Sequence, residues 1–217
     1  MSLQDRLGEA KEEVCAVGRW MLDSGLVAGS WGNVSLRFGD LMLITPSGMD
    51  YDVIVPEDIV AIDLVTDEID GHRNPSSEAK MHKAVYWGRV DVRAIVHTHS
   101  VYAGVLAVTH TPLPPILEDL AQITGGTIEV ADYALAGSLE LAGNVAKSLA
   151  DKGAVLLANH GLVTVGRNLE EAMYTALLVE RAAKVYVLAG QVGTAKILPA
   201  SDVSALRENY LKQYRKI

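Results

Sequence analysis

The amino-acid sequence predicts a three-layer α/β/α fold, in which a central mixed and largely antiparallel sheet carries helices on both faces. First, helix-like and strand-like segments alternate along all 217 residues without a low-complexity linker. Second, 49% of the residues are apolar, which is enough to bury a large core. Third, several strand-like runs follow one another across short turns, as antiparallel strands do. We therefore expect residues 1–217 to form a single domain.

The first part of the chain predicts two helices and several short strands. Leu3, Leu7 and Val14 recur at helical spacing among charged residues, and Gly25 provides a stop signal. The turn signal Gly39-Asp40 separates two strand-like runs, which predicts a hairpin. In order, the predicted elements are a helix over 2–24, strands over 33–38, 41–46 and 59–64, a polar loop over 65–75, and a helix capped by Ser77.

The rest of the chain continues the alternation. Short apolar runs rich in valine, isoleucine and leucine predict strands, and longer stretches with helical periodicity predict helices. In order, the predicted elements are a strand over 93–99, a helix over 101–108, a strand over 127–133, a helix over 138–151, strands over 154–161 and 162–166, and helices over about 168–189 and 202–216.

Composition and charge exclude several classes of function. The formal net charge of −8 disfavours binding to nucleic acid or to an anionic membrane, because both repel an acidic protein. Cys15 is the only cysteine, so no intrachain disulfide can form. No apolar run approaches the roughly 20 residues that span a bilayer, and the N-terminus lacks the pattern of a signal peptide. We expect a cytoplasmic protein that binds neither nucleic acid nor membrane.

Three of the six histidines occupy positions that suggest a metal site. His97 and His99 are two residues apart at the end of a predicted strand, so their side chains leave on one face. His160 ends another apolar run and precedes Gly161, which indicates a tight turn at a sheet edge. Three imidazoles with one open position suit catalytic zinc. A strand-end histidine is also commonly a simple hydrogen-bonding group, and spacing alone leaves both interpretations open.

The acid at the start of the second predicted helix has two compatible interpretations. Ser76, Ser77 and Glu78 form a routine helix-capping sequence, in which the carboxylate also suits the helix dipole. The same amides and hydroxyls can instead hold a phosphate while the carboxylate faces a metal. The chain has neither a P-loop nor a dinucleotide-binding GxGxxG motif, so nucleotide chemistry is unsupported.

Five segments in the same order along the chain resemble the class II aldolase and adducin head-domain family, and within it the fuculose-phosphate aldolase group. They are GSWGNVS at 29–35, LITPSGMDY at 43–51, PSSE at 75–78, VHTHS at 96–100 and ANHG at 158–161. The resemblance implies one Zn²⁺ per subunit, bound by His97, His99 and His160, with Glu78 as a further ligand and as the acid/base. It also implies a phosphate site formed by Asn33, Ser47, Gly48, Ser76 and Ser77.

The resemblance further implies cleavage of a small phosphorylated ketose to dihydroxyacetone phosphate and an aldehyde. The metal would act as a Lewis acid that stabilises the enediolate, while Glu78 moves the proton. It implies a homotetramer with sites between subunits. One departure concerns a tyrosine that a neighbouring subunit supplies in the family, because Glu118 or Asp119 lies in that region here. Tyr214 is the nearer match to the C-terminal tyrosine of the family, with imperfect spacing.

Other members of the family suggest alternatives. Sugar-phosphate 4-epimerases carry aspartate at the position of Glu78, which argues against that reaction. A methylthioribulose-phosphate dehydratase has its active-site glutamate elsewhere, so Glu118 keeps dehydration open, and a decarboxylating relative also fits. Adducin-like binding modules are expected to lose the metal histidines, which this chain keeps.

Overall fold

The computed structural model describes residues 2–213 and is built around one eight-stranded sheet. The strands are β1 (Asn33–Phe38), β2 (Leu41–Ile44), β3 (Val60–Asp63), β4 (Ile69–Asp70), β5 (Ala94–Thr98), β6 (Val130–Ala131), β7 (Ala154–Leu157) and β8 (Gly161–Gly166). Their order across the sheet is β4-β3-β2-β1-β5-β8-β7-β6. Only β6 and β7 pair in parallel among these strands, so the predicted mixed and largely antiparallel sheet is confirmed.

Helices cover both faces of this sheet, as predicted. The helices of residues 2–213 are α1 (Leu3–Asp23), α2 (Ala79–Gly88), α3 (Val101–Val108), α4 (Glu118–Thr124), α5 (Leu139–Leu149), α6 (Leu169–Val192) and α7 (Ala200–Gln213), with a 3-10 turn at Pro56–Asp58. Ser2, Ser138 and Asn168 cap three of them, because each side chain accepts a hydrogen bond from an amide in the first turn. These local signals explain why the starts of the three helices were readable from sequence.

Alternation along the strands divides the core into two layers. On one face, Ile95 and Val163 pack with residues of α2 and α5. On the other face, Val96 packs with α1 and α6, and Leu162 packs with α3 and α6. His97 lies one strand period after Ile95, so its side chain belongs to the α2 face. This alternation brings the strand-end histidines to the segment that precedes α2.

The structure corrects four local predictions. Ser77 does not cap α2, because the helix begins at Ala79 and the residue at the N-cap position is Glu78. The loop over 65–75 contains β4, whose two residues are exposed at the sheet edge and are too few to show the alternation of a strand. Of the strand expected over 127–133, only β6 pairs with β7. No helix was predicted at α4, since seven residues are too few to repeat an apolar stripe.

Tyr214 lies outside the described residues. Within residues 2–213, no helix is both long enough and apolar enough to cross a lipid bilayer.

Candidate active site

His97 and His99 mark the end of β5 on the α2 face. His97 lies in the strand and is fully buried, and its Nδ1 lies 3.0 Å from the carbonyl oxygen of Leu162 in the neighbouring strand. A carbonyl can only accept, so Nδ1 carries the proton and Nε2 is left free to bind a cation. His99 follows the strand directly, and its Nε2 lies 2.9 Å from Nε2 of His97. The backbone thus fixes the orientation of the first imidazole, and the second turns towards it.

His160 reaches the same place from the turn between β7 and β8. Asn159 adopts a left-handed conformation with φ of 55°, which asparagine tolerates, and the turn directs His160 back over the end of β5. The His160 ring centroid lies 4.8 Å from that of His97 and 4.9 Å from that of His99. Gly161 makes this convergence possible, because a Cβ there would overlap the carbonyl of Thr98 and press on both strand-end rings. The tight turn predicted at Gly161 is therefore present.

Glu78 completes the cluster from the segment before α2. Its Oε2 lies 3.1 Å from Nε2 of His97 and accepts a hydrogen bond of 2.9 Å from Nδ2 of Asn33. Asn33 reaches this carboxylate because β1 pairs with β5 so that Asn33 lies directly opposite His97. The other oxygen, Oε1, is buried, lies 3.5 Å from Nε2 of His160 and has no hydrogen-bond partner.

The donor atoms of this cluster fit a divalent cation. One ligand atom each from Glu78, His97, His99 and His160 lies within 4.8 Å of the others. Tetrahedral ligands with Zn–N bonds of about 2.0–2.1 Å lie about 3.3 Å apart. Three pairs come close to this value: Nε2 of His97 lies 2.9 Å from Nε2 of His99 and 3.1 Å from Oε2 of Glu78, and Nε2 of His160 lies 3.5 Å from Oε1 of Glu78. A buried carboxylate oxygen without a partner is costly, and a cation bound beside it would satisfy it. The site therefore has the chemistry and the spacing of a metal centre.

The electrostatic environment sets the charges of these groups. Burial, reinforced by His97 and His160, lowers the pKa of His99 to about 3. Burial and His97 also lower the pKa of His160. Burial alone would raise the pKa of Glu78, but the electrostatic interaction and hydrogen bond with His97, together with His160 and Asn33, hold that pKa well below its ordinary value. The lowered pKa values keep His99 and His160 neutral and Glu78 ionised near pH 7, and these are the protonation states that bind divalent metals.

The cluster opens into a cleft of about 240 Å³. Its walls combine hydroxyl groups, glycines and metal-site residues, including Asn33, Ser47, Gly48, Ser76 and Ser77. Every residue predicted to surround a phosphate thus lines the same cleft. Two backbone hydrogen bonds join the loop before α2 to the turn after β2. The amide of Ser76 donates to the carbonyl of Thr45, and the amide of Ser47 donates to the carbonyl of Asn74.

Of the two remaining candidates, Glu118 and Tyr214, only Glu118 belongs to the residues that the structure describes. Glu118 is exposed at the start of α4 and is not among the residues that line the cleft of its own chain.

Sequence reasoning missed several residues that support or line the site. Trp31, Ser30 and Ala136 line the cleft, although Trp31 lies within a motif singled out from the sequence. Glu180 of α6 accepts hydrogen bonds of 2.9 and 2.8 Å from the amides of Tyr102 and Ala103, at the start of α3 and just after His99. No local signal could reveal Glu180, because 77 residues or more separate it from its partners.

Comparison with known proteins gives a consistent result. The family model described as the class II aldolase and adducin N-terminal domain matches residues 12–187. A 5-deoxy-D-ribulose 1-phosphate aldolase of Bacillus thuringiensis serovar kurstaki is 37% identical over 206 residues, covering 94% of this chain and 96% of the relative. A 5-methylthioribulose-1-phosphate/5-deoxyribulose-1-phosphate aldolase of Rhodospirillum rubrum is 38% identical over 186 residues, covering 86% of this chain and 84% of the relative.

The fold comparison agrees with the sequence comparison. The solved structure of an L-fuculose 1-phosphate aldolase superposes with a TM-score of 0.90 at 39% sequence identity. The superposition covers 93% of this chain and 96% of that structure.

Proposed function

Because this chain belongs to the class II aldolase and adducin N-terminal domain family, we propose that it is a metal-dependent aldolase acting on a small phosphorylated ketose. The reaction would cleave the ketose reversibly to dihydroxyacetone phosphate and an aldehyde, with 5-deoxypentulose 1-phosphates and fuculose 1-phosphate as the substrate class. The observation that carries the proposal is the convergence of three imidazoles and one carboxylate at the floor of a hydroxyl-lined cleft. Relatives named as aldolases for such substrates support it.

In this proposal His97, His99 and His160 hold one Zn²⁺ per subunit, and Glu78 is a further ligand while the substrate is absent. The spacing of the four donor atoms and the unpartnered oxygen of Glu78 support this assignment. Nitrogen-rich ligand sets with an open position suit zinc. The ion would supply a Lewis acid that withdraws electron density from the substrate carbonyl.

Glu78 moves the proton in this proposal. When the carbon–carbon bond breaks, its electron pair stays on the three-carbon fragment. The hydroxyl of the other fragment loses its proton to the ionised Glu78 carboxylate and becomes the carbonyl of an aldehyde. The three-carbon fragment must then gain a proton on carbon, and the Glu78 carboxyl is the acid/base nearest to the metal ligands. Asn33 holds Oε2 in place, so Oε1 is the oxygen available for proton transfer.

The polar side of the cleft binds the substrate phosphate in this proposal. Ser47 and Gly48 come from the turn after β2, and Ser76 and Ser77 come from the segment before α2. Hydroxyl groups and the amides near a helix start hold an anion without a basic surface, which suits a chain with a net charge of −8. Asn33 would connect this phosphate site to the carboxylate.

The test is a direct assay with purified protein loaded with Zn²⁺. Fuculose 1-phosphate, 5-deoxyribulose 1-phosphate and methylthioribulose 1-phosphate are supplied separately, and dihydroxyacetone phosphate is measured with a coupled reductase. We expect release of dihydroxyacetone phosphate from at least one substrate, its loss on chelation, and its return with added Zn²⁺. Loss of water from methylthioribulose 1-phosphate without carbon–carbon cleavage would establish a dehydratase instead. No metal binding and no turnover would favour a binding module.

Three broader assignments belong to the same proposal. The chain is one class II aldolase-like domain over residues 1–217, supported by a single sheet and by a family model that spans 12–187. It assembles as a homotetramer with sites between subunits, in which Glu118 approaches the site of a neighbouring subunit and Tyr214 serves as the C-terminal tyrosine of the site. It acts in the cytoplasm on a free sugar phosphate, supported by an acidic net charge and a lone buried cysteine, Cys15.

A further inference from the structure

Trp31 occupies an unusual place at the rim of the cleft. Its side chain is 65% exposed although it is among the largest apolar groups of the chain. The indole lines the cleft, and its ring centroid lies 5.7 Å from that of His99 at a tilt of 34°. Ligand clefts are lined largely by apolar and aromatic side chains together with a few polar groups, so an indole in the cleft wall is placed to contact a ligand.

The backbone around Trp31 is held firmly. Gly32 has φ of 75°, and a Cβ at that position would come within 2.5 Å of the carbonyl oxygen of His97. The hydroxyl of Tyr51 donates a hydrogen bond of 2.8 Å to the carbonyl of Gly32. The loop therefore rests directly on the metal-site strand, and the indole is presented to the cleft from a fixed position.

The lining of the cleft leaves one region for the aldehyde end of a substrate. In a 1-phosphoketose the phosphate and the aldehyde end lie on opposite sides of the reacting carbons. If the serines hold the phosphate and the imidazole cluster faces the middle of the molecule, the aldehyde end meets the remaining lining. The indole of Trp31 provides the largest apolar surface of that lining, which consists of Ser30, Trp31, Gly32, Pro46 and Ala136.

We propose that Trp31 is a specificity-determining residue that selects aldehyde fragments ending in an apolar group, such as a methyl or a thioether. This inference rests on the proposed function and deepens it. Contact with the indole removes apolar surface from water, whereas a terminal hydroxyl in the same place loses hydration without gaining a partner. Because the ring is partly open to solvent, the preference is modest, at about three- to tenfold for one terminal group.

A matched pair of substrates tests the inference. We compare kcat/KM for 5-deoxyribulose 1-phosphate and for ribulose 1-phosphate, which differ only by the terminal hydroxyl. The ratio of the two values cancels any difference in the fraction of active, metal-loaded protein. We expect Trp31→Ala to lower this ratio about three- to tenfold and Trp31→Phe to preserve most of it. Trp87→Ala should leave it unchanged, because Trp87 is similarly exposed and lies outside the cleft lining.

The synthesis direction provides a second measurement. With dihydroxyacetone phosphate as the donor, Trp31→Ala should raise the KM for propionaldehyde and leave the KM for dihydroxyacetone phosphate within about twofold. An unchanged substrate ratio, or an equal rise in both KM values, would show that Trp31 has no role in selecting the aldehyde.

A fluorescence titration separates this inference from the proposed reaction. The sequence contains three tryptophans, so Trp20→Phe combined with Trp87→Phe leaves Trp31 as the only indole. Titration of the metal-free protein with 5-deoxyribulose 1-phosphate should change its emission more than titration with ribulose 1-phosphate. A wild-type chain that releases no dihydroxyacetone phosphate but shows this difference would contradict the aldolase reaction and support the Trp31 contact. Equal emission changes would contradict the contact even if the enzyme is active.

Discussion

At the scale of single residues, the two carboxylate oxygens of Glu78 lie in different environments. Oε2 of Glu78 is held by Asn33 and His97, while Oε1 is buried without a hydrogen-bond partner. A group intended only to cap α2 would not keep an unpartnered oxygen in the interior, since that oxygen is costly. The capping interpretation of Glu78 is also weakened by the absence of a side-chain capping bond.

Glu78→Gln should separate proton transfer from metal binding. The amide keeps the shape and can still accept from Asn33, but it cannot exchange a proton near neutral pH. We expect metal content to stay close to one ion per chain while kcat falls about 10²- to 10⁴-fold. His99→Ala should instead lose the metal, because it removes a ligand.

Metal analysis and steady-state kinetics on the same preparations check both variants. Glu13→Gln is the matched control, since Glu13 is exposed on α1 and far in sequence from the site residues. Retained turnover in Glu78→Gln would remove Glu78 from its proposed role.

His82 links the stability of the fold to pH. It is fully buried on α2, its Nδ1 lies 2.7 Å from Oγ of Ser35, and its Nε2 has no partner. Burial, with a smaller effect of His97, lowers its pKa from 6.5 to about 3. Below pH 6.5 the unfolded chain therefore binds a proton that the folded chain does not, and stability falls as pH falls.

The expected contribution of His82 is a loss of about 2–3 kcal/mol of unfolding free energy between pH 6.5 and 4.5. Denaturant unfolding of the metal-free protein at several pH values measures it. His82→Gln keeps a polar group near Ser35 but does not titrate, so its unfolding free energy should fall less steeply over this range by that amount. Parallel pH profiles for the two proteins would show that the buried imidazole is not the source of the acid sensitivity.

At the scale of elements, α3 connects the two segments that carry His99 and His160. Its first amides donate to the carboxylate of Glu180, in place of a side-chain cap from Ser100. At its other end, the carbonyl of Ala107 accepts from the amide of Asn159, the residue before His160. Helix α3 is therefore bonded to α6 at its start, just after His99, and to the residue before His160 at its end. It holds the segments that carry these two histidines in place.

Glu180→Ala should loosen the start of α3 without removing a metal ligand. Loss of two charge-assisted hydrogen bonds leaves amides of the first turn without partners, which destabilises the fold by about 1–3 kcal/mol. Displacement of His99 should weaken Zn²⁺ binding by about 10- to 100-fold. Competition with a chromophoric chelator measures the affinity, and the visible spectrum of the Co²⁺-loaded protein reports the ligand geometry.

Two variants make this measurement interpretable. Glu180→Gln retains one acceptor and should recover part of the affinity, whereas Glu170→Gln alters an exposed glutamate of the same helix and should change nothing. Wild-type affinity and an unchanged Co²⁺ spectrum in Glu180→Ala would mean that α3 does not position His99.

How much of this structure the sequence predicts depends on how far along the chain each sequence pattern extends. Periodicity and caps act within a few residues, so the boundaries of α1 and β1 could be read directly. The end of β5 could also be read: the sequence predicts His97 and His99 at the end of a strand, and β5 ends at Thr98 between them. The convergence of His160 with that pair depends on the pairing of β5 with β8, which no local pattern encodes. Only the family resemblance supplied that expectation.

At the scale of the whole molecule, exposed apolar side chains suggest how copies of the chain meet. Val101, Val105 and Val108 form an exposed row along α3, which begins beside His99. Apolar residues spaced by four and three positions form a stripe on one helix face, and such stripes are normally covered. The proposed homotetramer would cover this stripe next to the site and bring Glu118 of one copy towards the cleft of another.

Mixing two impaired variants tests whether sites are shared between copies. Glu78→Gln and Glu118→Gln are purified separately, and each should be impaired if both residues act in the reaction. After unfolding and joint refolding at equal amounts, about one quarter of the shared sites should pair an intact Glu78 from one copy with an intact Glu118 from its neighbour. Activity should then rise to about a quarter of the wild-type value, far above either variant alone.

If both residues served a site within one chain, no combination of copies would restore an intact site. Unchanged activity after mixing would therefore contradict a shared site, and full activity of Glu118→Gln alone would show that Glu118 takes no part in the reaction.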